Sequence, residues 1–280
     1  MSTIAESLIQ LAALPGVPEA TDAAREACTK LRWHQALRRR IPEAAAESRV
    51  RGARASAALD GAEMDVDVVR DLMRGATAWP ERLGPLEATL KGAMQATAET
   101  EHILAMVVTA PSQALARVHV AAAGHLLPES QVGRPRQAGE IASEFSDLGP
   151  APDETVVTAR LSGIVQLLLA AKDAPAVVVA ALVHGEIATV RPFVRGNGLV
   201  ARAMERAVIQ ASGLDPTGVA VTELGHGAGG AAAYLGALAA YGSGSSEGVA
   251  LWITHCAKAV VAGAQEGGRI ADAVLVGRLT

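Results

Sequence analysis

Residues His184 to Arg202, reading HGEIATVRPFVRGNGLVAR, limit what this chain can fold into more than any other stretch. An apolar run from Ala174 to Val190 leads in at helical spacing, and a second helical run from Leu199 to Ala211 leads out. Between them lies a turn rich in glycine, with Asn197 at its tip. Gly196 and Gly198 let the backbone take positive φ and approach a ligand closely. The N–H groups at the start of the following helix then offer a site for an anion. Arg202 comes four residues after Gly198 and projects from the first turn on roughly the same side. These residues read as a phosphate-sized anion cradle under one arginine. A Gly-Asn-Gly turn also serves as plain punctuation between two helices, and the residues alone leave both readings open.

The stretch resembles the core motif of the Fic (Fido) family, H-P-F-x-[DE]-G-N-G-R-x-x-R. Pro192, Phe193, Gly196, Asn197, Gly198 and Arg202 match it without gaps. Three positions depart from it, and the resemblance gives those positions the chemistry. Arg191 stands at the family's catalytic histidine, Arg195 at its acidic magnesium ligand, and Leu199 at the first of two phosphate-binding arginines. His184, seven residues before Arg191, matches a structural histidine of the lead-in helix. Far upstream, Ser56-Ala57-Ala58-Leu59-Asp60-Gly61 is similar to the family's inhibitory helix motif, [ST]-x-x-x-E-[GN]. In that motif the glutamate pairs with the last arginine of the core motif and blocks the nucleotide's γ-phosphate. The resemblance therefore makes Ser56, Asp60 and Gly61 an inhibitory element, with Asp60 pairing with Arg202. The plainer alternative is a helix that ends at Gly61 with a solvated acid near its end.

Composition agrees with helices. Half of the 280 residues are hydrophobic but only 2% are aromatic, so the core must be built from Ala, Leu, Val and Ile. The expected class is all-α, a Fic-type helical bundle with at most a small β-hairpin flap. A net charge of −4 gives no electrostatic case for nucleic acid or an anionic membrane. Cys28 and Cys256 form no disulfide framework, which suits a reducing compartment. The opening MSTIAESLIQ has no basic stretch of the kind that begins a signal peptide. The longest apolar run, around Leu161 to Val183, is interrupted by Lys172 and Asp173, so no membrane span is expected. The expectation is a cytoplasmic protein, and the bias toward alanine and arginine suits a GC-rich bacterial genome.

Helices are expected over Thr3–Leu14, Glu19–Arg40, a run beginning near Pro42 that carries the Ser56 motif, and Val66–Met73 behind an Asp65 cap. Residues 1–80 read as an N-terminal portion, 81–215 as the Fic-like core and 216–280 as C-terminal helices packed on it. In the core, helices are expected over Leu86–Val108, from Pro111 through Ala123, and over Val156–Ala171 and Ala174–Val190, the last two as the buried centre. His102 and His119 read as packed or surface histidines. The long polar stretch His125–Glu154 holds Gly133, Arg134 and Arg136, which resemble a G-R-x-R segment of the family. Ile141 to Phe145 is a candidate for part of the flap that docks a target. Helices near Ala231–Tyr241 and Ser246–Ala264 follow, with Gly225–Gly230 as a flexible connection. No group of His, Cys, Asp or Glu has the spacing of a metal site.

The family's usual reaction moves AMP from ATP to a hydroxyl. It needs a base, a metal on the phosphates and donors for the developing charge. Arg191 cannot remove a proton near neutral pH, because its pKa lies above about 12. Arg195 repels magnesium. General base catalysis alone is typically worth about 10² to 10⁴ in rate. The resemblance thus implies a degenerate Fic protein without ordinary AMP transfer. It keeps a phosphate or nucleotide cradle formed by Arg195, Gly196, Asn197, Gly198 and Arg202, and serves a binding or regulatory role. ATP or another nucleotide is the implied ligand, and a protein target or regulatory partner the implied associate. An active transferase moving AMP or another phosphate-containing group by altered chemistry is the alternative.

Overall fold

The computed structural model describes residues 3–171 and 174–278. Those residues form twelve α-helices and three short 3-10 turns, with no strand among them. The chain is all-α, and the segment read as part of a hairpin flap is irregular. Lys172 and Asp173 lie outside the described residues, as do the two residues at each end.

Local chemistry sets most helix boundaries. α1 (Ile4–Ala12) starts with a capping box: Thr3 Oγ accepts from Glu6 N–H, and Glu6 accepts from Thr3 N–H in return. α2 (Val17–Arg32), α3 (Ile41–Leu59), α5 (Pro85–Thr109) and α6 (Pro111–Ala123) each carry proline in the first turn, where no N–H is missed. Asp65 caps α4 (Val66–Met73), Asp153 caps α7 (Glu154–Ala170) and Ser245 caps α12 (Ser246–Leu275). α8 (Ala176–Val190) and α9 (Asn197–Ala211) flank the glycine turn; α10 (Thr222–Gly227) and α11 (Ala231–Gly242) precede the long final helix.

Four expectations need correction. The helix expected over Glu19–Arg40 ends at Arg32. His34 Nδ1 instead accepts from Ala36 N–H and starts a 3-10 turn over Gln35–Arg38. Arg38, Arg39 and Arg40 therefore lie between that turn and α3, not at the end of a long helix. α7 is no part of the buried centre. It buries only Val157, Ile164, Leu167 and Leu168, and Leu169 is 55% exposed. Gly225 belongs to a helix packed on α12, where an added Cβ would stand 2.1 Å from the Ala259 carbonyl oxygen. α12 continues to Leu275, well beyond Ala264.

α8 is the centre. Nearly every residue from Val177 to Val190 is buried, and α7, α9, α11 and α12 surround the helix. α9 is almost as deeply buried and packs also on α5 and α6. One continuous apolar core joins α1 and α2 to α12 through these two helices. The turn between α8 and α9 is thereby held from both sides.

Candidate functional site: a cradle filled by the chain itself

α8 stops at Arg191, whose backbone takes the left-handed conformation, φ 49° and ψ 64°, that side chains other than glycine rarely adopt. The chain then turns through Pro192 and buries Phe193 against the ring of His119, 3.8 Å between centroids and nearly parallel. His119 Nδ1 accepts from Gly133 N–H at 2.9 Å. Its Nε2 therefore carries the proton and donates to the Arg195 carbonyl at 3.1 Å. Burial lowers the His119 pKa to about 4, so the ring is neutral near pH 7.

Asn197 closes the turn. Its buried amide accepts from Phe193 N–H through Oδ1 and donates to the Phe193 carbonyl through Nδ2, each at 2.9 Å. Gly196 supplies the positive φ of 85° that starts α9. The N–H groups of Gly196 and Asn197 converge as the sequence suggests, and they hold a carboxylate of this chain. Glu144 Oε1 accepts from Gly196 N–H at 2.5 Å, while Oε2 accepts from Asn197 N–H at 2.7 Å and Asn197 Nδ2 at 2.8 Å. Burial and the neighbouring charge of Asp60 raise the Glu144 pKa against the pull of these three donors.

Arg191 holds that arrangement in place. Its buried guanidinium donates to the carbonyls of Phe145 at 3.1 Å and Gly149 at 2.8 Å through Nη1, and to Pro150 at 2.9 Å through Nη2. Arg136 works from the other side. It donates to the Arg191 carbonyl at 2.8 Å, to the Pro152 carbonyl, and through its backbone N–H to Pro192 at 2.7 Å. Residues 136–152 thus form a strap across the turn, pinned by two arginines, with Glu144 inserted beneath it.

The other end of the site is Arg202, 1% exposed. It meets Asp60 at 2.9 Å, donates through Nε to Ser56 Oγ at 2.8 Å, and donates through Nη2 to the Ser56 carbonyl at 3.0 Å. Burial opposes its charge, but Asp60 and Tyr234 outweigh that and hold the pKa above the ordinary arginine value. Gly198 makes this contact fit: a Cβ there would stand 2.8 Å from Asp60 Oδ1 and 3.1 Å from Arg202 Nη1. Gly61, at φ 85°, turns the chain away immediately after Asp60.

The structure thus gathers Ser56, Asp60, Arg191, Gly196, Asn197, Gly198 and Arg202 in one place. Arg195 stands apart: its side chain is exposed, and its backbone carbonyl accepts from His119. Leu199 is buried in the core beside Gly92. Sequence reasoning missed Glu144, which lies in a polar stretch without periodicity, and the part His119 plays in fixing Phe193 and Arg195.

No protein-family model matches the chain, and no curated protein does. Solved structures do. Fic-1 (residues 134–508) from C. elegans is similar at TM-score 0.68 and 18% identity, covering 93% of this chain and 73% of its own. A Fic family protein from Desulfovibrio desulfuricans G20 is similar at TM-score 0.66 and 17% identity, covering 95% and 76%. A Fic domain containing signaling protein from Bacteroides thetaiotaomicron has TM-score 0.66 and 12% identity, covering 93% and 99%. Coverage on that scale takes in most of the C-terminal helices. The chain has the all-α fold of Fic-domain proteins.

Proposed function

We propose that this chain is a degenerate Fic protein that binds a phosphorylated ligand or a partner at the cradle and performs no ordinary AMP transfer. The observation that carries this reading is the fate of position 191. The arginine found where the family keeps its base donates to the carbonyls of residues 145, 149 and 150. The carboxylate so positioned occupies the N–H groups that a phosphate would use. A ligand enters by displacing Glu144, so its binding is sensitive to competing anions, and with Arg195 at the acidic position no side chain there calls for magnesium.

Nor does a substitute base support the transferase reading. His119 commits both ring nitrogens, one to Gly133 and one to Arg195. His184 is fully buried, with both nitrogens engaged by Glu205 and Tyr234. The test uses labelled ATP with wild type, Asp60→Ala and Glu144→Ala, scoring transfer to the chain and to lysate proteins. The expected result is no transfer by any of the three, with magnesium-independent stabilisation of Glu144→Ala by ADP or phosphate. ATP-dependent labelling of any acceptor at an ordinary enzymatic rate overturns the proposal.

A further inference from the structure

Helices α8, α9 and α10 bring His184, Glu205 and His226 together in the interior. All three side chains are at most 1% exposed. One oxygen of Glu205, Oε2, lies 2.5 Å from His184 Nδ1 and 2.6 Å from His226 Nε2. The other, Oε1, is buried with no hydrogen-bond donor. A buried carboxylate left half unsatisfied beside two crowded imidazoles is a costly arrangement, and a bound ligand removes the cost. The outward ring nitrogens are already provided for: His184 Nε2 meets Tyr234 Oη at 2.7 Å, and His226 Nδ1 meets His255 Nε2 at 3.2 Å. Partners on the far nitrogens are the arrangement that orients histidines toward a metal. Trp252 closes one side, edge-on to His184 at 5.0 Å between ring centroids.

We propose that His184, Glu205 and His226 form a structural site for a divalent transition metal, with Zn²⁺ the best match. Two imidazoles with a carboxylate favour zinc over magnesium or calcium, which prefer all-oxygen shells. Both oxygens of Glu205 bind, so that Oε1 gains its partner and the set reaches four donor atoms. Ligation releases no proton. The proton that each imidazole holds toward Glu205 moves to its own outward nitrogen, which then donates a hydrogen bond to Tyr234 Oη or to His255 Nε2, with the ring proton of His255 on Nδ1. The crowded donor atoms separate from 2.5–2.6 Å to roughly 3 Å, as metal bonds of about 2.0–2.1 Å require. No room remains for a water or substrate on the ion, so its role is to tie α8, α9 and α10 together. His184 lies on α8, which Arg191 ends, and Glu205 follows Arg202 on α9, so the ion also sets the register of the two helices that flank the cradle.

The experiment is metal analysis of the whole chain purified without chelator from zinc-supplemented medium. Wild type is expected to hold about one zinc per chain, and to lose melting temperature on chelation and regain it on adding zinc. Cobalt added to the chelated protein is expected to give the visible bands of a four-coordinate ion. His226→Gln is expected to lose most of the metal, whereas His102→Ala, an exposed histidine elsewhere, keeps it. Wild type without stoichiometric metal, a melting temperature indifferent to zinc, or full metal content in His226→Gln each overturns the proposal. If His226→Gln does not fold, the zinc content and melting response of wild type decide the matter alone.

Discussion

At one end of the site, Asp60 reaches Arg202 from the residue that caps a nineteen-residue helix. At the other, Glu144 reaches the cradle from a strap whose regular structure is a single 3-10 turn, Ser146–Leu148. Both carboxylates occupy positions an anionic ligand would want, yet they are mounted very differently. Moving Asp60 means breaking α3 away from α5 and α9, whose packing is apolar and continuous. Moving Glu144 means releasing a few carbonyls from two arginines, with Ile141 beside it already 78% exposed. Few buried contacts around a segment mean a low cost of local opening. The cradle is therefore the half that a ligand opens, and the arginine is the half that stays.

The largest test of that contrast is Asp60→Ala. It leaves Arg202 buried without its counter-charge, at a cost of about 3 kcal/mol in urea unfolding. An unchanged midpoint shows that the ion pair contributes nothing. His119 supports the turn beneath the cradle, through its neutral ring. Its pKa of about 4 in the fold lies below the ordinary 6.5, so the unfolded chain takes up the proton first. The resulting stability is whole above pH 6.5 and fades as pH falls toward 4, by about 3 kcal/mol for complete neutral burial. Wild type is expected to lose that much more than His119→Gln over this range; equal losses remove His119 from the account.

Arg191→Ala acts on the strap, where three carbonyls lose their donor. A stability loss of about 1 to 2 kcal/mol is expected, with faster amide exchange near Arg136 and Gln137 and new protease cuts between residues 137 and 152. A strap as protected as before contradicts the pinning role. Glu144→Ala has the smallest effect on stability, within about 1 kcal/mol. Its effect on binding is larger: phosphate affinity rises about tenfold, equivalent to about 1.4 kcal/mol. Identical phosphate titrations of variant and wild type mean that the two anions do not compete.

Much of this was readable beforehand, and unevenly so. α4, α6 and the α8–α9 turn follow local rules, caps and prolines at fixed offsets, so their boundaries emerge from neighbouring residues. The Asp60–Arg202 contact spans 142 positions, as 202 minus 60 gives, and only the resemblance to the inhibitory motif connected them. Glu144 had no such guide. An acid in a polar loop looks like any solvated acid until the fold shows which N–H groups it meets. The join of His184, Glu205 and His226 was hidden for the same reason, since ligands from three helices leave no compact spacing. Leu169 misled in the opposite sense: an apolar run suggests burial, but the depth of a helix is set by what packs over it.

The scarcity of aromatic residues has a practical consequence. The chain has three tryptophans, and each sits in a different medium. Trp33 is 72% exposed, Trp79 is half-buried with Lys91 over its ring at 5.9 Å, and Trp252 is fully enclosed among imidazoles. Emission from the enclosed indole lies to the blue of the other two, and its neighbouring rings are the groups that quench it. With Trp33 and Trp79 replaced by phenylalanine, the remaining fluorescence becomes an optical gauge of the interior next to Glu205. Events at the strap then register by travelling through α8 and α9, or through α11, which packs on the strap and carries Tyr241 beside Trp252.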